Sequence, residues 1–69
     1  MKAVAEEIRR IRADLGLTQE QFCDLFNLSE PPAGTLTQGA LSLYESGAQT
    51  PLADKLLKIQ ALGQKGPPS

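Results

Sequence analysis

A short run of mostly uncharged residues, 37–47 (TQGALSLYESG), carries the side chains best suited to recognise another molecule. Thr37 can cap a helix at its start and Gly47 can end it, because Thr accepts from free backbone N–H groups and Gly tolerates a positive φ. One face of this helix carries apolar residues three positions apart. The opposite face carries Gln38, Gly39, Ser42 and Leu43. This pattern predicts either an ordinary surface helix or a helix inserted into a groove of a partner.

The available residue types argue against catalysis. The sequence has no His and a single Cys, so neither a zinc cluster nor an internal disulfide is expected. Ser42 and Glu45 come closest to a catalytic pair, but they lie in one short helix and lack a general base. We interpret Cys23 as a small buried apolar residue, since a reactive thiol needs an electropositive neighbour that the sequence does not display. The sequence therefore predicts a chain that is not an enzyme and has no metal or cofactor.

Length and composition predict one small folded domain in a reducing, cytoplasmic setting. The chain has 69 residues, 41% of them hydrophobic, which is enough for a small helical core. It has no run of about 18 apolar residues that would span a membrane. Its first ten residues, MKAVAEEIRR, lack the apolar segment of a signal peptide. Seven Lys and Arg oppose eight Asp and Glu. Any positive surface must therefore come from local arrangement.

Apolar spacing and capping residues predict an all-α fold of four short helices, or five, near residues 2–15, 18–26, 37–46 and 51–62. Thr18 and Gln21 form a capping box at the start of the second helix, and Pro51 suits the first position of the fourth. Residues 1–62 form the predicted domain and residues 63–69 a flexible polar tail. The side chains expected to face the core are Val4, Ile8, Ile11, Leu15, Phe22, Leu25, Phe26, Leu52, Leu56, Ile59 and Leu62.

The stretch between the second and third helices, residues 27–36 (NLSEPPAGTL), predicts an extended loop. Its two prolines and Gly34 oppose regular helix. We expect Leu28 and Leu36 to reach the core from this loop. Thr35 and the backbone amides near Gly34 are candidate phosphate contacts, and an inert surface loop is the alternative.

Two short helices, the second ending in ESG, resemble the helix-turn-helix of the lambdoid phage repressor and Cro family. The pattern of that family runs roughly R-x-x-x-G-L-T-Q-x-x-L-A, a turn, S-x-x-x-I-S-x-x-E-x-G, a small polar run and Pro. The resemblance covers approximately residues 5–62, although the turn is much longer here. The matching residues are Arg12, Gly16-Leu17-Thr18-Gln19, Phe22-Cys23, Leu41-Ser42, Glu45, Gly47 and Pro51.

The resemblance implies roles in binding double-stranded DNA. The residues expected to face base edges are Gln38, Gly39, Ser42 and Leu43. A Gln amide can pair with adenine, a Ser hydroxyl with several bases, and a Leu side chain can meet a thymine methyl. Gln19 is expected to contact a phosphate and to support Gln38. The other positioning residues expected along the DNA backbone are Thr18, Thr35, Thr37, Arg9, Arg10 and Gln49, with Lys55 and Lys58 as further cations. A salt bridge between Arg12 and Glu45 is expected to join the first and third helices.

The resemblance further implies a small transcriptional repressor or autorepressor of a phage or other mobile-element operon. Such a protein binds an inverted-repeat operator as a homodimer. The alternative is a protein-binding modulator, antirepressor or antitoxin component that keeps the helix-turn-helix fold with weak or no DNA binding. The acidic charge balance, the uncharged loop at residues 48–50 and the exposed Leu43 favour that alternative. A salt titration of binding to mixed DNA separates the two interpretations.

Overall fold

Four helices make up the regular structure of the computed structural model, which describes residues 2–30 and 32–64. They are α1 (Lys2–Leu15), α2 (Gln19–Leu28), α3 (Gln38–Ser46) and α4 (Ala53–Gln64). Those two ranges contain no strand, which confirms the all-α prediction. None of the helices described is long and apolar enough to cross a membrane.

The helix ends follow the predicted local chemistry. The Thr18 hydroxyl accepts from the backbone N–H of Gln21, whose side chain accepts from the backbone N–H of Thr18, so the capping box is complete. The Thr37 hydroxyl accepts from the backbone N–H of Ala40 at the start of α3. Gly47 ends α3 with a φ of 82°, a left-handed conformation that other residues adopt at a cost. These caps fix where α2 and α3 begin and where α3 stops.

The second helix extends further than the sequence predicted. Asn27 and Leu28 belong to α2, so the prediction that the loop starts at residue 27 is wrong. The connection, here called the long turn, comprises residues 29–37. Its residues 32–34 are not helical, as predicted, and Pro31 lies outside the described residues. Leu28 is 85% exposed instead of filling the core, and Leu25 is also exposed at the surface.

The fourth helix begins later and ends later than predicted. Ala53 is its first residue, and the carbonyl of Leu52 accepts from the backbone N–H of Leu56, so Pro51 precedes the helix. Leu52, which directly precedes the helix, is exposed rather than inward. The helix continues through Gly63 and Gln64, which the sequence assigned to the tail. The remaining residues of that tail, 65–69, lie outside the described residues.

The core forms where α1 and α2 each pack against both α3 and α4. Its most deeply buried side chains are Ile8, Phe22, Phe26, Leu36, Leu41 and Ile59. Burial of Leu36 confirms the prediction that the long turn contributes to the core. Gly63 permits the close approach of α4 to α1, since a Cβ there would lie 2.9 Å from Cγ1 of Ile11. This packing fixes α3 against α1 and α2 while one of its faces remains open.

Candidate nucleic-acid interface

A two-point ion pair joins α1 to the last turn of α3. Nε of Arg12 donates to Oε2 of Glu45 at 2.7 Å, and Nη2 donates to Oε1 at 3.0 Å. Glu45 is only 6% exposed. Such a bidentate arrangement fixes orientation as well as distance. The predicted Arg12–Glu45 pair is therefore confirmed.

A backbone carbonyl also holds the Arg12 guanidinium in place. Its third donor, Nη1, reaches the carbonyl of Leu17 at 3.0 Å, just before α2 begins. The hydrogen bond to Glu45 raises the pKa of Arg12; partial burial opposes this rise, and Coulomb attraction to the same carboxylate adds to it. The guanidinium therefore stays charged and compensates the buried carboxylate.

Gln19 brings the start of α2 to the same carboxylate. Its Nε2 donates to Oε1 of Glu45 at 3.3 Å. Gln19 was expected to contact a phosphate and to support Gln38, but its described hydrogen bond links it to Glu45. Three segments therefore meet at one buried carboxylate: α1, the first residue of α2 and the last turn of α3. Arg12 and Glu45 alone were expected there, and the participation of Gln19 was missed.

The outer face of α3 carries no exposed charge. Gln38, Gly39 and Ser42 are exposed, and Leu43 is 41% exposed. The only charged residue of α3, Glu45, points inward to Arg12. The four residues predicted to read bases therefore share an accessible neutral surface. It can form hydrogen bonds through one amide and one hydroxyl, and it can make one apolar contact.

The other predicted positioning residues divide by location. Thr18 and Thr37 are exposed, and their hydroxyls are engaged as helix caps. Thr35 and Gln49 are also exposed. The first turn of α3 has no acidic residue, whereas that of α2 contains Glu20. An anion near these helix starts would therefore meet a less repulsive field at α3 than at α2.

Arg9 and Arg10 are both exposed, but they lie on different sides of α1. Arg10 lines a groove between α1 and α4 together with two acidic residues, Glu7 and Asp14. Arg9 precedes Arg12 by three residues and therefore shares the side of α1 that contacts α3. Of these two arginines, Arg9 is therefore the better candidate for the predicted phosphate contact beside α3.

The two candidate lysines of α4 donate hydrogen bonds to carbonyl groups of the long turn. Lys58 is 7% exposed, and its Nζ donates to the carbonyl of Ser29 at 2.7 Å and lies 4.4 Å from the ring centre of Phe26. The prediction that Lys58 contacts a phosphate is therefore wrong, because its ammonium is buried against the turn and an aromatic face. Nζ of Lys55 donates to the carbonyl of Thr35 at 3.0 Å.

Asn27 has a structural role that its sequence context did not predict. Its Nδ2 donates to the carbonyl of Leu36 at 3.0 Å, and its Oδ1 accepts from the backbone N–H of Leu36 at 2.8 Å. One amide thus satisfies both backbone groups of a residue nine positions away. The sequence signal was weak, since an Asn near a predicted turn is ordinarily explained by local turn chemistry.

Cys23 is buried, as expected. Burial raises the pKa of its thiol, and the negative charges of Asp24 and Glu45 raise it further. The thiol is therefore neutral near pH 7 and packs as an apolar group. Within residues 2–30 and 32–64, no cluster of three or more His, Cys, Asp or Glu residues could hold a metal ion.

Comparison of the chain with protein-family models, curated proteins and solved structures gave no match.

Proposed function

We propose that this chain is a sequence-specific DNA-binding transcriptional regulator in which α2 and α3 act as a helix-turn-helix. In this proposal it binds an inverted-repeat operator as a homodimer and represses the associated operon. The α3 helix enters the major groove, and α2 lies across the DNA backbone.

The observation that carries the proposal is the shared carboxylate of Glu45. It accepts from Arg12 of α1 and from Gln19 at the start of α2. Both contacts are made on the inner side of α3. They hold the helix against α1 and α2 and leave its outer face exposed. A base-reading helix needs this combination, because recognition requires a fixed helix orientation and unoccupied side chains.

The outer face of α3 suggests how bases would be read. The Gln38 amide can make paired hydrogen bonds with the N6 and N7 atoms of adenine. Ser42 follows four residues later and therefore lies on the same face, one turn further along the groove. Leu43 would contact a thymine methyl, and Gly39 would allow the helix backbone to approach the base edges closely.

Cationic contacts to the DNA backbone are few in this proposal. Lys58 is buried and Lys55 is tied to the long turn, which leaves Arg9 as the best placed beside α3 among the cationic side chains that the structure describes. Each cation that neutralises a phosphate contributes about one unit to the slope of log K against log salt. We therefore expect a shallow salt dependence and an affinity that rests strongly on base contacts.

Selection of bound duplexes from a random DNA pool at low salt tests the proposal. The expected result is an inverted repeat with half-sites about one helical turn apart. The selected duplex is then compared with a scrambled duplex for the wild type, Gln38→Ala and the control Gln64→Ala, which removes an exposed Gln from the end of α4. Recovery of no sequence preference from the pool would refute the proposal.

A protein-binding modulator is the second candidate function. Leu43 on α3 is partly exposed, Leu57 on α4 is 64% exposed, and the chain carries a net charge of −1. Exposed apolar side chains on a weakly acidic surface suit a protein partner. If Gln38→Ala leaves DNA binding unchanged while Leu43→Asp abolishes binding to a protein partner, α3 is a protein-interaction surface and the second candidate replaces the first.

A further inference from the structure

Asn27 forms a bridge across the base of the long turn. It lies in the last turn of α2, and its side chain holds both backbone groups of Leu36, at 2.8 and 3.0 Å. The residue that follows Leu36 is Thr37, the N-cap of α3. The bridge therefore connects the end of α2 almost directly to the start of α3.

Because of the bridge, the position of α3 does not depend on the length of the long turn. A flexible connection of nine residues would leave the start of α3 free to adopt many positions. With Leu36 fixed to α2, only Thr37 intervenes before α3, and the preceding residues form an excursion. Lys55 and Lys58 of α4 hold that excursion through the carbonyls of Thr35 and Ser29.

The two ends of α3 are thus fixed from different directions. Arg12 and Gln19 hold Glu45 near its C-terminus, and Asn27 holds the residue before its N-cap. Leu36 is also buried, which supports the same point by packing. Gln38 is exposed, and it lies two residues beyond the bridged Leu36. Any displacement of Leu36 is therefore passed to Gln38 through one intervening residue.

We propose that Asn27 is a positioning residue for base recognition: its amide bridge to Leu36 sets where α3 presents Gln38 to DNA. The inference rests on the proposed DNA-binding function. It predicts that loss of the bridge lowers sequence preference while nonspecific DNA binding persists. A displacement of about 1 Å at a recognition helix is enough to weaken paired hydrogen bonds with a base.

The test compares affinities for the selected duplex and a scrambled duplex. For Asn27→Ala, we expect the ratio of the two affinities to fall about tenfold. This is the order expected when the paired hydrogen bonds between Gln38 and a base are lost. The affinity for the scrambled duplex should stay within about twofold of wild type. Leu28→Ala is the matched control, since Leu28 is the exposed neighbour on α2. Lys55→Met removes a different anchor of the long turn and should also keep the ratio.

Asn27→Asp gives a readout that general destabilisation would not produce. The ionised carboxylate can accept from the Leu36 N–H but repels its carbonyl, whereas the protonated acid can make both hydrogen bonds. Sequence preference relative to wild type should therefore recover in part as pH falls from about 7 to about 4.5, where an aspartic acid with the ordinary pKa of about 3.9 is about one-fifth protonated. Circular dichroism at each pH shows whether the variants remain folded.

Each outcome decides the inference. A folded Asn27→Ala chain with unchanged preference overturns it, and so does a loss in Lys55→Met equal to that in Asn27→Ala. If Asn27→Ala fails to fold, the pH series of Asn27→Asp decides: recovery at low pH supports the bridge, and a ratio that does not change with pH overturns it. A wild-type chain without sequence preference instead refutes the proposed function itself.

Discussion

Removal of the Glu45 carboxylate is the sharpest test of how this fold is held together. Glu45→Ala deletes the acceptor of two hydrogen bonds from Arg12 and one from Gln19. The substitution leaves the Arg12 guanidinium without a counter-charge between α1 and α3. The stability change therefore measures the cost of an uncompensated charge, in addition to the loss of contacts.

The expected magnitude follows from the exposure of the two partners. Breaking a fully buried ion pair costs about 3–5 kcal/mol. The side chain of Arg12 is 25% exposed, and it keeps its hydrogen bond to the Leu17 carbonyl, so water and backbone recover part of that loss. We expect Glu45→Ala to lower the free energy of unfolding by ~1–3 kcal/mol. For a domain of this size, each kcal/mol lowers Tm by about 4–8 °C.

Urea and thermal unfolding of four chains measure this effect. The wild type, Glu45→Ala, Arg12→Ala and the double variant form a double-mutant cycle, whose coupling energy should be about 0.5–3 kcal/mol if the pair interacts as described. Glu30→Ala is the control, because it removes an exposed carboxylate from the long turn and should change stability by no more than about 0.5 kcal/mol. An unchanged Tm for Glu45→Ala, or purely additive single variants, would contradict the reasoning.

Three further predictions address recognition, backbone contacts and the buried thiol. Gln38→Ala should remove ~1–3 kcal/mol of specific binding and relax the preference at one base pair per half-site, measured by competition with single-base operator variants. Arg9→Ala should lower the salt slope by about one unit, whereas Arg10→Ala, which makes the same charge change in the groove with Glu7, should alter it less. Because burial raises the pKa of Cys23 above its ordinary 9.0, the stability contributed by the neutral thiol is fully present below that value. It is lost as pH rises through the folded pKa. Urea unfolding from neutral to alkaline pH should therefore show the wild type losing stability relative to Cys23→Ala, and parallel curves would contradict this.

The sequence predicted the features that depend on neighbouring residues. The capping box of Thr18 and Gln21 and the positive φ of Gly47 are local, so their residue types and spacing were sufficient. The Arg12–Glu45 pair was also found, because the resemblance marked both positions. These predictions concern helix starts, helix ends and one cross-helix contact.

The features that sequence reasoning missed depend on distant contacts. Asn27 lies in the extended end of α2, and its side chain forms hydrogen bonds with the backbone of Leu36. Residue spacing does not indicate this pairing. Leu28 is apolar and exposed because α2 turns it outward, which hydrophobicity alone does not show. Lys58 is buried because its stem and ammonium cover Phe26 and reach the Ser29 carbonyl. In each case the tertiary packing of α2, α4 and the long turn decides the outcome.

The distribution of charge links these structural details to the proposed function. The buried Glu45 is compensated by Arg12, so α3 presents no negative charge outward despite the net charge of −1. The same packing withdraws Lys58 from the surface and ties Lys55 to the turn. In the proposed complex, α3 therefore meets DNA with a neutral face, and few of the cationic side chains that the structure describes lie beside it. Nonspecific affinity depends mainly on phosphate neutralisation, whereas base contacts provide the sequence preference. Under the proposed function, the protein should bind scrambled DNA weakly, and the position of α3 should govern most of its affinity for a specific sequence.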